Sequence, residues 1–109
     1  MTVREMAELL ELRPLATPED DREISGVYIG DLLSWVMGRA RSGDVWITIM
    51  SNINIVAVAS LADVSCITLA EGVVPDEATV GTAAERGINL YTSPLTAYRL
   101  AARIASLLQ

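Results

Sequence analysis

Between Asp44 and Gly72 the chain reads DVWITIMSNINIVAVASLADVSCITLAEG, two short β-branched runs bracketing a small-residue apolar segment that opens with Ser51, Asn52 and Asn54. Strands at 45–50 and 65–70 would be buried on both faces, as in a parallel sheet covered by helices. Residues 53–62 between them carry Ile53, Ile55, Val56 and Val58, which suit a strand as well as a helix; connection length and context favour a helix. The polar cluster thus falls where a strand ends and a helix begins, the usual ligand position in an open α/β sheet.

The same pattern extends in both directions. Thr2 and Glu5 form a capping box ahead of Val3, Met6, Ala7 and Leu10, predicting a helix over 2–11 that Pro14 ends. An edge strand at 13–16 and a polar loop from Thr17 to Glu23 come next, the loop holding Pro18 and four acidic residues. Residues 24–29 read as a strand and 32–40 as a helix with Asp31 as N-cap. Ser42-Gly43-Asp44 is a turn. Pro75 and Asp76 start a helix ended by Gly87, with Val80, Ala83 and Ala84 inward. After a strand at 88–91, Ser93 as N-cap and Pro94 at the first helical position open a last helix to about 108, with Tyr98, Ala101, Ile104, Ala105 and Leu108 as its core stripe. The expected architecture is α/β, a three-layer α/β/α sandwich on a mainly parallel sheet of four to five strands, in a single domain over 1–109.

Composition narrows the function classes. The formal charge is −6, from 14 acidic residues against eight scattered arginines, with no lysine and no histidine. Nucleic acid is an unsuitable partner for such a chain. Without histidine the commonest general base and metal ligand is gone, and without lysine so are the P-loop and Schiff-base chemistry. Cys66, the single cysteine, sits inside an apolar strand and reads as a buried structural thiol. No catalytic residue, metal or cofactor is therefore expected. The opening Met1-Thr2-Val3-Arg4-Glu5 lacks the apolar run of a secretory leader, and Ser51, Asn52, Asn54 and Ser60 interrupt the uncharged stretch 45–62, so neither export nor a membrane span is expected and the setting is read as cytoplasmic.

With 51% hydrophobic residues in 109, some helix surface should be buried against a second copy. The candidates are Trp35 and Met37 on the helix at 32–40 and Leu100 and Leu107 on the last helix, all off the expected core stripes. Parallel strands would deliver Gly30-Asp31, Ser51-Asn52-Asn54, Glu71-Gly72 and Thr92-Ser93 to one edge, a candidate ligand site for a carboxylate, a phosphate or the polar edges of a nucleotide. As single residues, Asp31, Asn52, Asn54 and Ser93 read equally as ordinary helix caps. Arg22 would reach an anion if its loop folded over that edge.

The run Asp21-Arg22-Glu23-Ile24-Ser25-Gly26-Val27-Tyr28-Ile29-Gly30-Asp31-Leu32-Leu33-Ser34, followed by Trp46-Ile47-Thr48-Ile49-Met50-Ser51-Asn52, resembles the DRTGG domain, a family related to the N-terminal domain of HPr kinase/phosphorylase. The resemblance spans almost the whole chain and implies a three-layer fold, a dimer and a regulatory rather than catalytic part. Together these readings lead to a non-catalytic, homodimeric regulatory domain sensing a small anionic or nucleotide-like metabolite. The alternative is a protein–protein interaction or dimerisation module without a ligand.

Overall fold

The computed structural model describes residues 1–109. In chain order the elements are α1 (Val3–Leu9), β1 (Arg13–Ala16), β2 (Gly26–Ile29), α2 (Leu33–Arg39), β3 (Asp44–Thr48), α3 (Asn54–Ala62), β4 (Cys66–Leu69), α4 (Glu77–Glu85), β5 (Leu90–Thr92) and α5 (Ala97–Leu107). Five strands form one sheet in the order β1-β5-β4-β3-β2. β2 to β5 run parallel, and β1 joins β5 antiparallel at the edge, with Arg13 opposite Thr92. The fold is thus the expected mainly parallel α/β sandwich, and 53–62 resolves as helix α3.

Each strand from β2 to β5 is placed beside its predecessor in the same direction, so three crossovers of one hand put their helices on one face. Val36, Ile55, Val56, Ala59 and Ala83 from α2, α3 and α4 accordingly pack with Trp46, Ile67, Leu69 and Leu90 of the sheet. The other face is left to α1 and α5, whose Val3, Met6, Leu10, Leu100 and Ile104 cover Val45, Ile47, Cys66 and Tyr91. Alternation along β3 sends Val45 and Ile47 one way and Trp46 the other, which is why that run reads as apolar on both sides. The Trp46 indole N–H, buried with its ring, is satisfied by the Gly30 carbonyl at 2.9 Å.

Two packing expectations need correction. Leu100 is fully buried in the core, so it is unavailable as a subunit contact, while Tyr98 is 80% exposed. Leu107 is half-buried and packs against the same core. On α5 the inward face is thus Leu100 and Ile104, rotated from the expected stripe, with Tyr98, Ala105 and Leu108 left outside. On α4 the inward pair is Thr79 and Ala83, and Ala84 faces out.

Because β1 and β2 occupy opposite edges, residues 17–25 must cross beneath the whole sheet. This strap is pinned once under each strand it passes. Asn89, before β5, donates to the Glu19 carbonyl and accepts the Glu19 N–H, both at 2.9 Å. Arg22 donates to the carbonyls of Asp63 at 2.7 Å and Val64 at 3.1 Å, before β4. The Ser25 hydroxyl donates to the Ser42 carbonyl at 2.8 Å and its N–H to Gly43 at 3.0 Å, before β3. Gly43 has φ +85°, and a Cβ there would collide with the Ser25 hydroxyl, so the crossing requires glycine.

Candidate functional site

Parallel β2, β3, β4 and β5 end on the same edge of the sheet, so Gly30-Asp31, Ser51 to Asn54, Glu71-Gly72 and Thr92-Ser93 all emerge there. Two latches organise them. At the β2/β3 half, one Asp31 carboxylate oxygen accepts the Thr48 hydroxyl at 2.7 Å and the Ile49 N–H at 3.0 Å. Asp31 is therefore not the N-cap of α2; that helix starts after Leu32 with no side-chain cap. Asn52 accepts the Asn54 N–H at 2.9 Å, folding the approach to α3 into a turn closed by its own side chain. Ser51 is half-buried beside it, and Asn52 and Asn54 face solvent.

At the β4/β5 half the latch is made of backbone. Glu71 and Gly72, at φ +58° and +74°, donate their N–H groups to the carbonyls of Leu95 at 2.8 Å and Ser93 at 2.7 Å. The Thr92 hydroxyl donates to Val73 at 2.6 Å, and the Ser93 hydroxyl accepts the Leu95 N–H at 3.2 Å. Ser93 is consequently a turn residue, and the cap of α5 is Thr96, whose side chain accepts the Arg99 N–H. Thr92 and Ser93 are buried, whereas Glu71 and Gly72 are exposed.

The cation at this edge is one that spacing alone did not single out. Antiparallel pairing of β1 sets Arg13 against Thr92, and Arg13, Gly72, Val74, Thr92, Ser93 and Pro94 line a depression of about 150 Å³. Arg13 is exposed and takes part in none of the chain's ion pairs. Arg22 lies at the opposite edge. Its guanidinium is committed to the C-terminal carbonyls of α3 and to the Asp63 carboxylate at 3.0 Å, so it does not reach the strand-end segments. The Ser42 hydroxyl and then Arg22 hold the Asp63 carboxyl below the usual carboxylate range.

Asp31 and Glu71 stand on separate latches, and nowhere do three acidic or thiol side chains gather in a metal-binding group. The Cys66 thiol is buried, and burial pushes its pKa up to about 12, which deprives it of nucleophilic character. Beside the β2/β3 half the surface is apolar: Ile29, Leu32, Ile49 and Ile53 are about half exposed, as are Trp35 and Met37 on α2. The Arg39 guanidinium lies 3.6 Å over the Trp35 ring. No helix is long and apolar enough to cross a membrane.

No protein-family profile matches the chain, and no curated protein is significantly similar to it. Among solved structures it is similar to the CBS and DRTGG domains of the regulatory region of Clostridium perfringens pyrophosphatase, complexed with the activator diadenosine tetraphosphate. The TM-score is 0.74 at 15% sequence identity, over 93% of this chain and 44% of that one. The chain spans less than half the length of that structure, and the likeness is one of fold, the DRTGG-like fold that the run from Asp21 to Asn52 resembles.

Proposed function

We propose that this chain is a non-catalytic, cytoplasmic regulatory domain that binds a small anionic or nucleotide-like metabolite at the C-terminal edge of its sheet and works as a homodimer through the exposed side of α2. The observation that carries the reading is the unpaired Arg13 beside the Ser93 hydroxyl, which accepts the Leu95 N–H but donates to nothing in the chain, in the depression that Gly72 and Thr92 also line. A guanidinium with five fixed donors, next to a hydroxyl free to donate, suits phosphate or carboxylate oxygens. Ser51, Asn52 and Asn54 lie along the same edge, where amide and hydroxyl groups suit the polar rim of a base or sugar. The similar solved regulatory region, complexed with a dinucleotide activator, supports a nucleotide as the first class to test.

An anion held by Arg13 would tie edge strand β1 to the β4/β5 latch, stiffening a part of the sheet held by a single neighbouring strand. Such stiffening is a regulatory output open to a domain with no reacting group. The apolar surface of Leu32, Trp35 and Met37 also fits the alternative reading, a pure interaction module.

Thermal shift with ATP, diadenosine tetraphosphate and pyrophosphate separates the two. A native-state binder at 100 times its Kd adds about 2.7 kcal/mol, a rise on the order of 10 °C for a chain of this size. Arg13→Ala should abolish that rise without moving the ligand-free Tm, because Arg13 is exposed and unpaired. Absence of a saturable rise with all three compounds would remove the nucleotide reading and leave the interaction module.

A further inference from the structure

A cavity of about 380 Å³ lies away from the strand-end edge, on the face covered by α1, opening between α1, β1 and the first part of the strap. Its floor is Tyr91, only 2% exposed, whose hydroxyl has no hydrogen-bond partner in the chain. Burial first, then the nearby Asp20 carboxylate, push Tyr91 up to about 12, so the phenol stays neutral and can donate or accept. In the wall, Arg4 is held by Asp20 through two bonds of 2.7 and 3.2 Å, matching its charge within the chain. Glu8 and Glu11 in the same wall have no cationic partner. Leu12 adds apolar surface to the lining.

The Tyr91 hydroxyl is not sealed off in the core but opens to the cavity, where a ligand can meet it. The unmatched charge of the wall is negative. A bare divalent ion is poorly served, since Asp20 is occupied by Arg4 and no three-carboxylate group exists. We propose that this cavity binds a small organic cation, a protonated amine or guanidinium on an apolar stem, with its charge between Glu8 and Glu11 and its stem against Leu12 and the Tyr91 ring. None of the strand-end residues lines the cavity, so the proposal is independent of the nucleotide reading.

The test is a titration of ¹⁵N-labelled protein with 1,4-diaminobutane and agmatine, using neutral 1,4-butanediol and magnesium chloride as controls. Saturable shifts are expected, confined to α1, residues 12–20 and Tyr91. The double variant Glu8→Gln/Glu11→Gln should weaken binding about tenfold or more, and Tyr91→Phe about threefold, from loss of charged and neutral hydrogen bonds respectively. Glu77→Gln, on the opposite face, should change nothing. Unsaturable shifts spread over the acidic surface, equal shifts with the diol or with magnesium, or full affinity in the Glu8/Glu11 variant would each overturn the proposal. Those two carboxylates are exposed, so the test stands even if Tyr91→Phe disturbs folding.

Discussion

Replacing Arg22 with alanine tests whether the Asp21-Arg22 run is a structural pin. Four interactions are lost: the two guanidinium bonds to the Asp63 and Val64 carbonyls, the attraction of a cation to the C-terminus of α3, and the ion pair with Asp63. The Arg22 side chain is 30% and the Asp63 side chain 60% exposed, so each term takes the low end of its range. Counting about 1 kcal/mol for each carbonyl bond and about 0.3 each for the helix-end charge and the surface pair gives a loss of about 2–3 kcal/mol. For a chain of this size that lowers Tm by on the order of 10 °C. Urea denaturation should show a lower midpoint at an unchanged m-value. Arg22→Lys should recover less than half, because an ammonium cannot fork to two carbonyls. An alanine variant within about 0.5 kcal/mol of the parent would refute the pin and return Arg22 to the ligand candidates.

Asp63 supplies a pH signature: its folded pKa is depressed, so its contribution is fully present above about pH 4 and fades as pH falls through the lower folded value. Asp63→Asn, tolerated at φ +59°, should therefore flatten the acid limb of the stability curve. Cys66, with a thiol pKa of about 12, should resist labelling at neutral pH until denaturant is added; fast native labelling would contradict its burial. The Thr79 hydroxyl is buried without a partner, so Thr79→Val should raise stability by about 1 kcal/mol in the same urea assay. Sedimentation at micromolar concentration should give twice the 11.7 kDa chain mass, and Trp35→Glu should shift it toward monomer; a parent that stays monomeric at high concentration removes the dimer.

Features set by neighbours in sequence were readable, and features set by neighbours in space were not. The Thr2–Glu5 capping box forms as spacing predicts, and Val3, Met6, Ala7 and Leu10 all turn inward. Asp31 has the sequence context of an N-cap, but Thr48 and Ile49, brought alongside by the parallel β2–β3 pair, compete for its carboxylate and win. Ser93-Pro94 has the signature of a helix start. The carbonyls of Ser93 and Leu95 are instead taken by the Gly72 and Glu71 N–H groups, so α5 begins only beyond Thr96. Its phase was ambiguous because alanines at 97, 101, 102 and 105 mark no face, which left two stripes of similar quality in the sequence.

The exchange of Arg22 for Arg13 at the candidate site follows from the direction of one strand. A four-residue run containing Pro14 can only be an edge strand, because proline has no N–H to give the ladder, and that much is legible. Which edge, and in which direction, is not. Parallel pairing beside β2 would have carried Arg13 to the start of the strands and made residues 17–25 a crossover running back along β1. Antiparallel pairing beside β5 instead places Arg13 against Thr92 at the strand ends and obliges 17–25 to run beneath the sheet from one edge to the other. A strap in that position needs polar side chains that reach backbone groups before each strand, and Asn89, Arg22 and Ser25 supply them under β5, β4 and β3 in turn. The arginine that most resembled a ligand residue in the sequence is thereby used up in building the edge opposite the candidate site, and the inconspicuous one beside the proline is left free.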